Sequence, residues 1–318
     1  MTGIHTIDTH YLDRSEIAAA YLIVEGDRAA FVDNNTNAAV PRLLAALEEQ
    51  GLSPDLVEYL IITHVHLDHA GGTSKLAKAC PNATILAHPR AAPHVIDPGK
   101  LVASASAVYG EENFRKLYGT IEPVPEDRVR VMDDEEVLRW GSRELRFLHT
   151  RGHANHHFCI VDSASGAIFA GDAFGLAYPM LQGEGTFAFP STSPTDFESE
   201  LARESIRRLV DENPSCIYVT HFGAVTDIET AAEQLIRHLD FAERLRDDAE
   251  ASDLPDEELE AYCRPRLYDY VAGLLDGHGN LGRNEHVWSH LKLDLDINAQ
   301  GIAFAANKRR RKARAASG

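Results

Sequence analysis

The run Thr63-His64-Val65-His66-Leu67-Asp68-His69 stands directly behind an apolar, β-rich stretch at 57–62. Four metal-ligating side chains, His64, His66, Asp68 and His69, are crowded into it. Histidine is the commonest metal ligand among side chains, and carboxylates complete such sites. On a helix this spacing would scatter the side chains around the axis. At the end of a strand, a period of two sends His64 and His66 to one side. A turn after His66 then brings Asp68 and His69 round to a second point, so one short segment can serve two metals. Gly71-Gly72 follow and open a helix expected to run through Ala79.

Further along, three more apolar runs end in a residue of ligand type. Thr150-Arg151-Gly152-His153 follows a strand expected over 144–148, Gly171-Asp172 follows one over 167–170, and Thr220-His221 follows one over 216–219. Loops at strand ends are where rigid α/β scaffolds carry their chemistry. Upstream, the apolar runs 21–24 and 29–32 are joined by Glu25-Gly26-Asp27-Arg28 and predict a β-hairpin. The polar run 33–37 ends its second strand. Val40, Leu43, Leu44 and Leu47 then share a helical face that Gly51 terminates. Strands are expected over 83–87 and 158–161. The stretch 89–125 reads as helical or irregular, with Tyr109, Phe114 and Tyr118 as core packing. Ser193-Pro194-Thr195-Asp196 has the form of a helix start, with Ser193 as N-cap and the helix running to about Glu212.

Near residue 228 the pattern changes to helix alone. Leu235, Leu239, Ala242 and Leu245 keep helical spacing, and further helices are expected around 257–262, 267–275 and 299–311. The chain therefore divides into 1–228 and a helical extension, 229–318. The basic run Lys308-Arg309-Arg310-Arg311-Lys312 is expected to be a solvated cluster suited to the C-terminal end of a helix dipole.

The ordered set His64-Val65-His66-Leu67-Asp68-His69, His153, Asp172 and His221 resembles the metallo-β-lactamase-fold superfamily over about residues 18–225. The resemblance implies an α/β protein: a four-layer αββα sandwich with metals at one sheet edge and, here, a C-terminal helical appendage. It implies that His64, His66 and His153 hold one divalent metal ion, that Asp68, His69 and His221 hold a second, and that Asp172 bridges them. Asp33 matches the family's early aspartate, which would orient a ligand histidine by hydrogen bonding. Thr63 and Thr220, each beside a ligand, are further candidates for that supporting role. Zinc is the default for such donors, and iron and manganese tolerate them. Two ions ~3.5–4 Å apart can share a water and ionise it near neutral pH. The resulting hydroxide would attack a carbonyl carbon while a metal stabilises the oxyanion. Asp68 would be catalytic as well as a ligand, accepting and passing on a proton.

Within that superfamily, 150–157 is similar to the Thr-Pro-Gly-His segment of the glyoxalase II-like branch. Arg151 stands where proline is usual and His156 where glycine is common. After Asp172, the Cys-Gly-Arg pattern of glutathione thioesterases is missing. His66 occupies the position where flavodiiron oxygen reductases usually carry glutamate. The segments 189–197 and 220–223 are similar to general hydrolase-like members with a C-terminal helical extension, which caps the site or builds a dimer. Tyr268, Tyr270 and Trp288 of that extension are expected in its core. The function implied is hydrolysis of an ester, thioester or lactone. The rivals are a di-iron oxygen-binding or redox protein on the same ligands, and a metal-binding sensory protein without turnover.

Composition narrows the partners. A chain of 318 residues with 44% hydrophobic content can bury a large core. Its formal charge of −18 repels nucleic acid backbones and anionic membranes, so the expected partners are a small-molecule substrate and, in a homodimer, a second copy of the chain. Cys80, Cys159, Cys216 and Cys263 are far apart in sequence and read as reduced thiols. With no basic region leading into an apolar core at the N-terminus, the expected location is the cytoplasm.

Overall fold

A computed structural model describes residues 2–317. Strand β1 (Thr2–Asp8) pairs antiparallel with β2 (Ala19–Glu25), and β2 with β3 (Arg28–Val32) through the predicted hairpin. Helix α1 (Val40–Glu49) carries the chain across to β4 (Val57–Ile61), which lies parallel to β3. The one-turn helix α2 (Leu67–Ala70) and α3 (Thr73–Ala79) lead to β5 (Thr84–Ala87). Helices α4 (Ala92–Ile96), α5 (Gly99–Tyr109) and α6 (Glu111–Tyr118) precede β6 (Val129–Val131). Phe114 and Tyr118 are buried with their rings 5.3 Å apart, whereas the side chain of Tyr109 lies outside the described residues. These strands form a mixed sheet in the order β1-β2-β3-β4-β5-β6. Parallel neighbours cannot be joined by tight turns, which is why the hydrophobic period alternates here between strand and helix.

The second sheet runs β12-β11-β10-β9-β8-β7. Its members are β7 (Val137–Trp140), β8 (Arg143–His149), β9 (Phe158–Asp162), β10 (Ala167–Leu176), β11 (Cys216–His221) and β12 (Gly223–Val225). Helix α7 (Ser199–Asp211) falls between β10 and β11 in sequence. The apolar runs of β2 and β3 are buried on both faces, as expected of strands covered on either side. Leu22, Val24 and Phe31 pack with Leu43, Leu47 and Leu76 from α1 and α3. Tyr21, Ile23 and Val32 face the other way, into a core shared with Phe147, Phe158, Ile160 and Phe169 of the second sheet. Each such side chain contributes about 1.5–3 kcal/mol of burial.

Two compact units are present. One is built from the residues up to His149, His156–Gly171 and Pro214–Thr226, and holds both sheets except the far end of β10. The other is built from Thr150–Asn155, Asp172–Asn213 and everything from Asp227 on. The second unit contains α7 and the helices α8 (Ile228–Ala251), α9 (Leu259–Gly277) and α10 (Glu285–Ser317). Leu235, Leu239, Ala242 and Leu245 are all buried on α8, as their spacing predicts. Among the described residues no helix is long and apolar enough to cross a membrane.

Two helix starts differ from expectation. Helix α7 starts at Ser199 rather than Ser193, and no side chain caps it. Asp196 is used elsewhere: its Oδ2 accepts the Asn155 N–H at 3.0 Å, while the Glu198 N–H donates to the Gly152 carbonyl at 2.9 Å. Those bonds hold the segment before α7 against 152–155 and displace the helix start. Helix α10 extends from Glu285, well before residue 299. The strand-like alternation of Leu291, Leu293, Leu295 and Ile297 masks its helical period and leaves Leu293 39% exposed.

The basic run is not simply solvated. Arg310 is only 9% exposed, and its guanidinium donates to the carbonyls of Ala249, Glu250, Ser252 and Leu254. These are the last carbonyls of α8 and the turn beyond it, where orphan acceptors and the negative dipole end favour a cation. Arg309 pairs with Asp247 at 3.1 Å and Arg314 with Asp256 at 3.2 Å. Arg310→Ala is expected to destabilise the chain by about 3 kcal/mol, because several buried carbonyls lose a charged donor together. Arg310→Lys should recover only part of this, since an ammonium cannot span the same fork. Urea midpoints of the full chain check both, with Lys312→Ala as a control expected to stay at the wild-type value.

Candidate metal centre

The end of β4 is where the site begins. Ile62 still donates to Leu86 O at 3.1 Å in the ladder, but the next N–H, that of Thr63, turns to Asp33 Oδ1 at 2.8 Å. Asp33 lies just past the end of β3 and is 1% exposed. Its carboxylate also accepts the Thr63 hydroxyl at 3.0 Å, the Thr220 hydroxyl at 2.9 Å and the Nδ1–H of His69 at 2.8 Å. One buried carboxylate thus ties together the ends of β4 and β11 and the helix α2. Asn35 adds to this by donating to the Asp68 carbonyl at 2.8 Å.

These bonds decide the tautomers. With Nδ1–H of His69 given to Asp33, the lone pair of that ring sits on Nε2. The Nδ1 of His221 donates to the Ile17 carbonyl at 2.8 Å and fixes that ring the same way. Thr63 has a single hydroxyl proton, used on Asp33, so toward His64 Nδ1 at 3.1 Å it accepts, and His64 also carries its proton on Nδ1. Pinning the far nitrogen of a histidine is the usual support for a metal ligand.

The helix α2 is the predicted turn. It swings Asp68 and His69 round so that one donor atom from each of Asp68, His69 and His221 lies within 4.8 Å of the others. Asp68 Oδ2 is 3.4 Å from His221 Nε2 and 3.8 Å from His69 Nε2. The rings of His64 and His66 are 4.5 Å apart, and those of His64 and His69 4.0 Å. Imidazole nitrogens and a carboxylate converging on one point suit a divalent transition metal. Gly171 leaves the room this requires: it has φ of 49°, and a Cβ there would lie 2.7 Å from Thr63 Oγ1.

Further histidines crowd the same place. His157 is buried with its ring 4.9 Å from that of His64. The His156 ring lies nearly parallel to His64 at 6.0 Å and edge-on to His66 at 5.4 Å. His88 and His149 pair at 4.1 Å. The His88 imidazole is pushed down to about 3 by burial, with His149, His156 and Arg90 adding to the shift, so it stays neutral at physiological pH. The only signal for these in the sequence is position, His88 just past β5 and His149 at the end of β8.

His153 and Asp172 belong to the second unit, where His153 Nε2 is 3.5 Å from Asp172 Oδ2. His153 Nδ1 donates to the Ser191 carbonyl at 3.3 Å, so its lone pair also sits on Nε2. Gly152 before it has φ of 112° and lies flat against α7, where a Cβ would meet Ala202 N at 2.2 Å. Arg151 takes the place of proline and is tied locally, Nε to Asn155 Oδ1 at 3.1 Å, with its carbonyl accepting Ser205 Oγ at 2.6 Å. Asp172 is not past the end of its strand, as the apolar run suggested. β10 continues through it to Leu176, which bridges to Phe189.

A profile of the metallo-beta-lactamase superfamily, Lactamase_B, matches residues 15–221. The metallo-beta-lactamase fold-containing protein ST1585 of Sulfurisphaera tokodaii is 24% identical over 70% of this chain and 80% of its own length. The crystal structure of ST1585 aligns over 95% of this chain and 98% of that one, with a TM-score of 0.67. The atrochrysone carboxyl ACP thioesterase of Emericella nidulans is 23% identical, covering 65% of this chain and 52% of the thioesterase. The hydroxyacylglutathione hydrolase of Aeromonas salmonicida is 25% identical, covering 48% and 44%.

Proposed function

Because the chain belongs to the metallo-beta-lactamase superfamily, we propose that it is a hydrolase using two divalent metal ions on an ester, thioester or lactone. The superfamily's members are largely hydrolases, and two of the relatives above bear hydrolase names, one of them a thioesterase. The observation that carries the reading is the convergence of Asp68, His69 and His221, with His69 locked by a fully buried aspartate. We assign His64, His66 and His153 to one ion, Asp68, His69 and His221 to the other, and Asp172 to both. Catalysis is placed in 1–228, with 229–318 as an extension. Zinc is the favoured ion, with iron or manganese as alternatives. Bound there, such ions supply Lewis acidity and lower the pKa of water toward neutrality.

The chain's own residues do the rest. Hydrogen bonds from Nδ1 hold the imidazoles of His64, His69 and His221 in their ligating tautomers. Asp68 is half-buried and still reachable, and we assign it the role of proton acceptor. The departures at Arg151 and after Asp172 separate it from glutathione thioesterases, so the acyl group is left to experiment.

Metal analysis of the purified chain should find about two divalent ions per molecule. Hydrolysis of a thioester and lactone panel should vanish on chelation and return with zinc or manganese. Full turnover in stripped protein, or no bound metal after metal-replete expression, would overturn the proposal. Two irons with an oxygen-sensitive absorption spectrum and no hydrolysis would point instead to redox chemistry on the same ligands.

A further inference from the structure

Helices α9 and α10 leave a groove between them. Its volume is ≈ 730 Å³, within the range of small-molecule sites. Tyr268 of α9 and Trp288 of α10 line it, their rings nearly parallel at 8° with centroids 5.7 Å apart. The polar ends of both rings are already engaged within the protein. The Tyr268 hydroxyl donates to Asp296 at 3.0 Å, and Trp288 Nε1 donates to the Gly282 carbonyl at 2.7 Å. What the rings present to the groove is therefore carbon.

The charges of the wall are unequal in their commitments. Arg264 pairs with Glu260 and, at 3.5 Å, with Asp296; Lys292 pairs with Asp296 at 2.9 Å. These two cations are matched by two carboxylates. Asp269, next to Tyr268 and also on the groove, is exposed and has no ion-pair partner among the described residues. Aromatic faces attract cations through the ring quadrupole, and an unmatched carboxylate beside them adds to the pull. An anionic guest would be repelled by Asp269, and a neutral one would gain no charge attraction from it.

We propose that this groove binds a small organic cation, a quaternary ammonium or protonated amine, over Tyr268 and Trp288 with Asp269 as its counter-charge. None of the residues lining it is assigned to metal, and its test does not depend on hydrolysis. The chain has two tryptophans, and Trp140 is buried in the sheet core, so a ligand-induced change in fluorescence reports on Trp288. Choline chloride, titrated into the full chain at constant ionic strength, should give a saturable change. Its uncharged isostere 3,3-dimethyl-1-butanol should bind roughly 5-fold or more weakly, and Asp269→Asn should weaken choline by about the same factor. Saturation transfer to the choline methyl protons should disappear in Trp288→Leu.

Absence of a saturable choline response in the wild-type chain would overturn the proposal. An equal response to the uncharged isostere would make the groove a plain apolar surface. Tighter binding of benzoate than of choline would show that Arg264 and Lys292 govern it. A Trp288 change that follows protein concentration, with a doubling of mass in light scattering, would assign the groove to a second copy of the chain.

Discussion

Asp33→Ala is expected to destabilise the chain by about 3–5 kcal/mol and to abolish tight metal binding. The carboxylate is 1% exposed and accepts four hydrogen bonds, from the Thr63 N–H, the Thr63 and Thr220 hydroxyls, and His69 Nδ1. A buried donor left without an acceptor costs about 1–3 kcal/mol, and the hydroxyls can find other partners, so the four losses do not simply add. Asp33→Asn separates fold from site. Its oxygen can keep part of the network, but its NH2 group must face a donor. The least disruptive repair is at His69, which can accept at Nδ1 if its proton moves to Nε2. That exchange removes the lone pair a metal needs. Asp33→Asn should therefore keep most of the stability of the metal-free protein while losing about 10–100-fold in zinc affinity. Denaturation midpoints in chelator measure the first, and competition with a zinc indicator measures the second. Wild-type zinc affinity in Asp33→Asn would show that the His69 tautomer is not held by this bond.

Much of this centre is legible in the sequence because its donors are dense and its strands are apolar. The run 63–69 has no good use as a helix face, and the α2 turn is the simplest way to present His66 and Asp68 in different directions. The hairpin and α1 follow from turn residues and a helical stripe in the same way. What escaped depends on partners remote in sequence. β1 is half polar, and its place comes from pairing along β2 rather than from its own pattern. Ser193 has every local mark of a cap, but Asp196 is taken by the Asn155 N–H. Arg310 looks like one of several surface cations until the open carbonyls of α8 are brought to it. His156 and His157 carry no spacing that marks them, and only the pairing of β8 with β9 and the bond from Phe158 N to Thr63 O bring them beside His64.

Asp68→Asn is expected to leave the fold intact and to lower kcat by about 10²–10⁴-fold. The side chain is about a quarter exposed, and the change is isosteric, so no cavity forms. The bond that fixes this stretch, Asn35 Nδ2 to the Asp68 carbonyl, uses the main chain and survives. His69 and His221 keep their anchors on Asp33 and Ile17. What is lost is one negative charge and the only acceptor in the Asp68–His69–His221 group that can take a proton and stay in place. Metal content should fall less than rate, whereas His69→Ala should lose both. If Asp68 acts only once reaction has begun, kcat falls and KM hardly moves. If it serves only to hold metal, added zinc restores the variant toward wild type. In chelated protein the substitution should change little, because residues acting as a unit are not additive. A metal-loaded Asp68→Asn chain within about 3-fold of wild-type kcat would remove Asp68 from the chemistry and leave it as a ligand alone.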